Sequence, residues 1–221
     1  MLADADVAVP AALIGDPTRA AFLQALVDAT ALPAGELARR ARVSPSTASQ
    51  HLAQLVDGGL LAVEPHGRHR YFRLADETVA HALEALSLLA PPRPARSLRE
   101  ADAGAALREA RTCYDHLAGR LGVAVTEALR LRELDRAYEL TAESERRLAA
   151  LGVAASGSRR AFARPCLDWT ERRHHLAGAL GAALCARLFE LGWVERIGSG
   201  RAVRLKPAGR RGLASALGVD L

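Results

Sequence analysis

The stretch VSPSTASQHLAQLVDGGLLAVEPHGRHRYFRL, residues 43–74, contains a helix start, a helix end and two alternating runs. Ser44 followed by Pro45 is typical of an N-cap and a first helical position. The Gly-Gly pair after Asp57 is typical of a helix end. The two runs that flank the His-Gly pair have the alternation of short strands. The stretch therefore predicts a helix from Ser44 to Asp57, followed directly by a β-hairpin.

The predicted helix has two chemically different faces. Ala48, Leu52 and Leu55 recur at helical spacing, so we expect them to face a core. The other face carries short polar groups that can reach base edges or phosphates, as Gln reaches adenine and Ser or Thr reaches several acceptors. These groups are Ser46, Thr47, Gln50 and Gln54, with Ser49 and His51 at the flanks.

Further helices surround this stretch. Asp16-Pro17 is a second start signal, Pro33 opens another helix over PAGELARRA, and apolar periodicity predicts a last helix from about Asp76 to Leu89. The order of the predicted elements is helix, helix, short turn, helix and hairpin. This order predicts a winged helix-turn-helix domain over residues 1–90. The basic groups around the hairpin turn suit contact with DNA phosphates. They are Arg68, His69, Arg70 and Arg73.

Residues 43–74 resemble the winged-helix core of the ArsR/SmtB family of bacterial repressors, and the resemblance covers roughly residues 8–90. It implies a homodimer that binds double-stranded operator DNA and leaves it when an effector binds. The positions that it implies for DNA contact are Ser44, Thr47, Ser49, Gln50 and His51 in the helix, and Gly67, Arg68, Arg70 and Tyr71 in the wing.

This sequence departs from the family at its usual metal sites. Where many relatives carry a Cys-x-Cys pair, Ala38 and Arg40 stand at the expected ligand positions. The last helix offers Asp76, His81 and Glu84, which do not form a convincing paired set. We therefore expect neither of these metal sites to be present.

The composition favours helices over sheets and is compatible with a DNA-binding protein in the cytoplasm. Of 221 residues, 50% are hydrophobic and only 4% aromatic, so the core must be built mainly from Leu, Ala and Val. A net charge of +5 is compatible with nucleic acid. No run of 18 apolar residues and no basic leader are present, so no membrane partner is expected. Three Cys without framework spacing indicate a reducing compartment.

The remainder of the chain contains an internal repeat. The Pro-rich segment APPRPARS predicts a linker at about 91–98, followed by a C-terminal domain at 99–221. HLAGRLGVA begins at His116 and HLAGALGAA at His175, and seven of the nine residues agree. The sequence therefore predicts two repeats, at about 99–153 and 160–221.

Each repeat is predicted to be a degenerate winged helix. LVDGGLLAVEPHGR (55–68) aligns with LFELGWVERIGSGR (188–201), so the second HLAG segment takes the place of the DNA-facing helix and is followed by a hairpin. The matching face is apolar and must be buried. We expect the two helices to pack face to face about a pseudo-twofold axis through Gly119, Gly122, Gly178 and Gly181. The fold class is thus mainly α with small β-hairpin wings.

Three roles remain open for this C-terminal domain. Zinc or another soft metal would be bound by Cys113, His116, Cys166, His174 and His175, with Cys113 and His116 on one face of a helix. A small apolar ligand would lie between the repeats near Trp193. A purely structural or dimerising role needs no ligand.

The predicted function is a sequence-specific DNA-binding transcriptional regulator, a repressor released by an effector, and not an enzyme. The alternative is that the C-terminal domain is an enzyme or a protein-interaction module attached to a DNA-binding domain. Candidate acid–base pairs are Asp115 with His116, and Asp168 with His174 or His175. The sequence has no Gly-rich phosphate loop, His-Glu-x-x-His or Gly-x-Ser-x-Gly motif.

Overall fold

A computed structural model describes residues 5–28, 31–66, 69–91, 94–95, 97–153, 162–198 and 200–221. These residues form two compact units, 1–83 and 84–221, each with its own hydrophobic core. Part of the predicted linker, residues 92, 93 and 96, lies outside the described residues. Within the described ranges, no helix is long and apolar enough to cross a membrane.

The first unit is a winged helix-turn-helix, as predicted. Its elements are α1 (Ala8–Ile14), α2 (Pro17–Asp28), β1 (Leu32–Pro33), α3 (Ala34–Ala41), α4 (Pro45–Asp57), β2 (Leu61–His66) and β3 (His69–Leu74), with α5 (Glu77–Leu89) beginning in this unit. The strands form an antiparallel sheet in the order β1-β3-β2. The core lies between α2, α3, α4 and this sheet.

The residues that predicted the two ends of α4 have the expected roles in the structure. The Ser44 hydroxyl accepts a hydrogen bond from the Thr47 backbone N–H at 3.1 Å, and Pro45 occupies the first helical position. Gly59 adopts a left-handed φ of 72° where the chain leaves the helix. The buried stripe is Ala48, Leu52 and Leu55.

The second unit repeats one order of elements. The series hairpin, helix, hairpin, helix occurs twice after α6 (Leu98–Glu109). The first copy comprises β4 (Arg111–Cys113), β5 (His116–Ala118), α7 (Gly119–Ala128), β6 (Arg132–Leu134), β7 (Ala137–Glu139) and α8 (Ala142–Ala150). The second comprises β8 (Arg164–Leu167), β9 (His174–Ala177), α9 (Gly178–Glu190), β10 (Val194–Arg196), β11 (Val203–Leu205) and α10 (Pro207–Leu217).

Two local predictions for the repeats were wrong. The HLA tripeptides are strands, and the helices begin only at Gly119 and Gly178, whose φ values of 74° and 83° are left-handed and therefore favour glycine. The stretches 137–153 and 202–219, which the sequence predicts to be extended, contain α8 and α10. Leu148 and Leu213 anchor these helices in the core.

The glycines make a different contact from the predicted one. A Cβ on Gly122 of α7 would lie 3.7 Å from the His175 Cβ on β9, and a Cβ on Gly181 of α9 would lie 3.2 Å from the His116 Cβ on β5. Each helix thus approaches a strand of the other copy, not the other helix. The contact is reciprocal, and the pseudo-twofold axis and the descent from a winged helix stay predictions.

Candidate nucleic-acid interface and a buried cysteine–histidine cluster

The solvent face of α4 carries the groups suited to DNA. Ser46, Ser49 and Gln50 are exposed, opposite the buried stripe of the same helix. Ser44 and Thr47 lie at the helix start, where their hydroxyl oxygens are 2.8 Å apart. Because the backbone of α4 is fixed by this cap and by the core, its exposed polar side chains project from a rigid element.

Arg19 in α2 contacts the neighbouring part of this face, and no sequence motif predicted its role. Its guanidinium donates to the Gln54 side-chain oxygen and to the Leu13 carbonyl, both at 2.6 Å. His51 Nδ1 lies 3.4 Å from the same guanidinium and 3.6 Å from the Asp16 carboxylate. Gln54 and His51 are therefore tied to α2, and no local motif signals a contact between residues so far apart in sequence.

The wing residues predicted to contact phosphate differ in their exposure. Among those that the structure describes, Arg70 is the exposed arginine. It lies on β3 over the Phe72 ring, at 5.9 Å from the ring centroid. Arg73 is instead paired with Glu64 and donates to two backbone carbonyls. Tyr71 is partly buried. Gly67 and Arg68 lie outside the described residues, as does the side chain of His69.

A second cluster lies deep in the C-terminal unit. Cys113 pairs with His116 across β4–β5, and Cys166 pairs with His175 across β8–β9. All four side chains are buried. Thiol and imidazole ligand atoms of Cys113, His116 and Cys166 lie within 4.8 Å of one another. The two imidazole centroids are 5.1 Å apart.

The structure brings together four of the five predicted metal-ligating residues by a different route from the predicted one. Cys113 and His116 are hairpin partners and not neighbours on a helix face. His174 is not in the cluster, because alternate residues of a strand point to opposite sides and its imidazole contacts Glu133 at 3.0 Å. Cys185 lies in the large apolar core, as expected.

Each imidazole of the cluster has a carboxylate beside its Nδ1 atom. The Asp115 Oδ1 is 3.2 Å from His116 Nδ1, and the Asp168 Oδ2 is 3.4 Å from His175 Nδ1. Asp168 also accepts from Arg111 at 2.9 Å and from the Gly119 backbone N–H at 2.6 Å. Asp168 thereby joins β8 to β4 and to the start of α7.

The electrostatics of the cluster follow from burial and these partners. Burial raises the pKa of Asp168, but His175, Arg111 and hydrogen-bond donors outweigh it and hold that pKa well below its usual range. The Cys166 thiol and burial raise the pKa of Cys113 to about 12, although the two imidazoles oppose the shift. Burial lowers the pKa of His175, but Asp168 and Cys113 raise it by more.

Comparison with known proteins identifies the family. A family model described as a helix-turn-helix domain matches residues 14–64. An uncharacterised HTH-type transcriptional regulator, YdfF of Bacillus subtilis, is 43% identical over 223 residues, covering 98% of this chain and 99% of that protein. The chain belongs to the HTH-type transcriptional regulators. Its first unit is the DNA-binding helix-turn-helix domain, and the arrangement agrees with the ArsR/SmtB resemblance.

Two other similar proteins match about a third of the chain or a little more. The HTH-type transcriptional regulator CmtR of Mycobacterium tuberculosis is 39% identical over 70 residues, which are 32% of this chain and 58% of that protein. The solved structure of HlyU from Vibrio cholerae is 30% identical and covers 39% of this chain and 94% of its own, with a TM-score of 0.36. The relatives named as transcriptional regulators favour a regulator over an enzyme.

Proposed function

We propose that this regulator is a homodimeric repressor that binds operator DNA through α4 and the wing and leaves it when an effector acts on the C-terminal unit. The observation that carries the DNA-binding part is the rigid helix α4, which exposes Ser46, Ser49 and Gln50 while Ala48, Leu52 and Leu55 hold it in the core. Such a helix suits the major groove, where short polar side chains recognise base edges.

The proposed interface divides its contacts by chemistry. Gln50, Ser46 and Ser49 would contact bases, whereas Ser44, Thr47 and the wing residues would contact phosphates. His51 and Gln54 would act through their contacts with Arg19, which fix their positions beside the exposed face. The wing contribution of Arg68, His69 and Tyr71 is proposed from the sequence pattern, and that of Arg70 also from its exposure.

Dimerisation is supported by apolar side chains left in solvent near the end of α5. Leu86 is 43% exposed and Leu89 is 83% exposed. Large apolar groups on one short segment are a common mark of a protein–protein contact. A twofold dimer would place two copies of α4 on two half-sites of an operator. Since the relatives are named as bacterial transcriptional regulators, we propose the cytoplasm as the compartment.

Selection from a pool of random DNA duplexes tests this proposal. The full chain should enrich one motif made of two inverted half-sites, and light scattering of the complex should give two chains per duplex. When the motif is placed over a promoter, transcription in vitro should fall. A pool without enrichment would contradict sequence-specific binding, and a rise in transcription would contradict repression.

A further inference from the structure

We propose that Cys113, His116, Cys166 and His175 form a binding site for zinc or a similar soft divalent cation in the C-terminal unit. Two thiols and two imidazoles are a donor set of tetrahedral structural zinc sites. Three of these residues already have their ligand atoms within 4.8 Å of one another. The fourth, His175, faces His116 with 5.1 Å between the ring centroids.

The orientation of the imidazoles supports this assignment. A carboxylate lies beside Nδ1 of each ring, so Nε2 is the ring nitrogen on the edge away from that carboxylate. In metal sites, ligating histidines have this same carboxylate partner on the second ring nitrogen. Among the described residues, His175 Nε2 is buried with no hydrogen-bond partner. An unsatisfied buried imidazole nitrogen is costly, and a metal ion would satisfy it.

The charge balance also suits a divalent ion. Thiols bind a metal ion as thiolates, so a cation that binds here displaces the thiol protons. Two thiolates and one divalent cation sum to zero net charge, which lowers the cost of burying the site. Zinc–sulfur bonds of about 2.3 Å and zinc–nitrogen bonds of about 2.0 Å require the ligand atoms to move closer by roughly 1 Å. Side-chain rotation can supply such a movement.

The site explains why the HLAG unit occurs twice. Each copy supplies one strand histidine, and three residues after its helix-start glycine lies a second glycine that packs beside the histidine of the other copy. Each copy also supplies a cysteine on the strand that pairs with its histidine. Because one copy provides only two ligands, a four-ligand site requires both.

The test measures metal binding by the full chain and needs no DNA. Protein purified without chelator should contain about one zinc per chain by elemental analysis. Cobalt(II) added to metal-free protein should give the thiolate-to-cobalt charge-transfer absorption and the visible bands of tetrahedral cobalt. Cys113→Ser and Cys166→Ser should abolish the charge-transfer absorption or reduce it by about half. Cys185→Ser is the matched control and should leave it unchanged.

Two further variants keep the test valid if the serine variants unfold. Asp115→Asn changes a partly exposed carboxylate beside His116 and should weaken zinc binding by about 10-fold. His175→Gln should lower the affinity by at least as much. Wild-type protein that lacks metal and gives no charge-transfer absorption with cobalt would overturn the proposal, whatever the variants do. Equal zinc affinity in wild type and His175→Gln would also overturn it.

Discussion

Helix α4 in the first unit and helices α7 and α9 in the second are each followed by a hairpin, yet they present opposite surfaces. α4 exposes Ser46, Ser49 and Gln50. At the positions that align with Ser49 and Gln50, Val123 of α7 is buried, and Ala124 of α7 and Ala182 and Ala183 of α9 are partly buried. The residues on the helix face, and not the order of elements, therefore decide whether such a helix is available to DNA.

The two units also differ in what their interiors contain. Among the described residues, the buried side chains of the first unit are apolar, whereas the second unit buries Arg111 and Asp168 completely. Arg111 donates to Asp168 at 2.9 Å, to Thr170 at 3.2 Å and to the Leu107 carbonyl at 3.1 Å. A buried ion pair of this kind depends on both partners. Loss of one partner should therefore affect the second unit more than any surface change.

The largest effect is expected for Asp168→Ala. The change leaves the Arg111 guanidinium buried without its nearest carboxylate and removes the acceptor for the Gly119 N–H. We expect a loss of about 3–5 kcal/mol in the free energy of unfolding of the second unit. Urea denaturation followed by Trp fluorescence measures it, because Trp169 and Trp193 both lie in this unit.

Glu139→Ala is the control for this change. Glu139 pairs with Arg132 on the surface of the first-copy hairpin, so its removal should cost about 1 kcal/mol or less. Equal losses of unfolding free energy in the two variants would show that the buried ion pair contributes no more to stability than the surface pair does.

Gly181→Ala tests the packing of α9 against β9, the strand that precedes it. A Cβ there would lie 2.4 Å from the Leu176 carbonyl oxygen, so backbone has to move. We expect a loss of about 1–3 kcal/mol in unfolding free energy, measured by the same denaturation. Gly104→Ala in α6 meets only the end of the Arg108 side chain and should instead be neutral or slightly stabilising. A harmless Gly181→Ala would contradict the packing described here.

Gln50→Ala sharpens the comparison at the DNA-facing helix. The side chain is exposed on α4 and lies outside the core of the first unit, so the fold should be unaffected. We expect a loss of about 1–3 kcal/mol in binding free energy for the selected operator and almost none for unrelated duplexes. Fluorescence anisotropy with both duplexes measures the difference. An equal loss of binding free energy for the operator and for unrelated duplexes would indicate that Gln50 contacts phosphate and not a base.

The smallest effect is expected for Arg70→Ala in the wing. Loss of one phosphate contact should weaken all duplexes alike and reduce the slope of log affinity against log salt by about one unit. Salt titrations of binding measure this slope. Arg73→Ala serves as the comparison, since Arg73 is paired with Glu64, and its slope should match that of the wild type.

The first unit was predictable because its signals are local. Ser44-Pro45, the Gly-Gly exit and the hairpin turn each act within a few residues, and the structure places α4, β2 and β3 accordingly. In the repeats, the same kind of reasoning assigned the HLA tripeptides to a helix. Their strand state depends on pairing with residues 111–113 and 164–167, which helical periodicity does not reveal.

The candidate sites show the same limit. Helical periodicity predicted the exposed face of α4. It did not predict the contacts of Arg19 with His51 and Gln54, because Arg19 is more than 30 positions away from both in the sequence. The cysteines and histidines of the second unit were recognised as a set from their residue types. Their convergence depends on two hairpins, and the position of His174 outside the set follows from strand alternation.

The most direct test of the central claim is a footprint of the full chain on its selected operator, comparing wild type with the triple variant Ser46→Ala/Ser49→Ala/Gln50→Ala. These three residues are exposed, so circular dichroism and thermal unfolding should be unchanged. The account predicts that the triple variant loses base-specific protection and retains only weak, salt-sensitive binding. Protection of the same bases by the triple variant would show that another surface recognises the operator and would contradict the account.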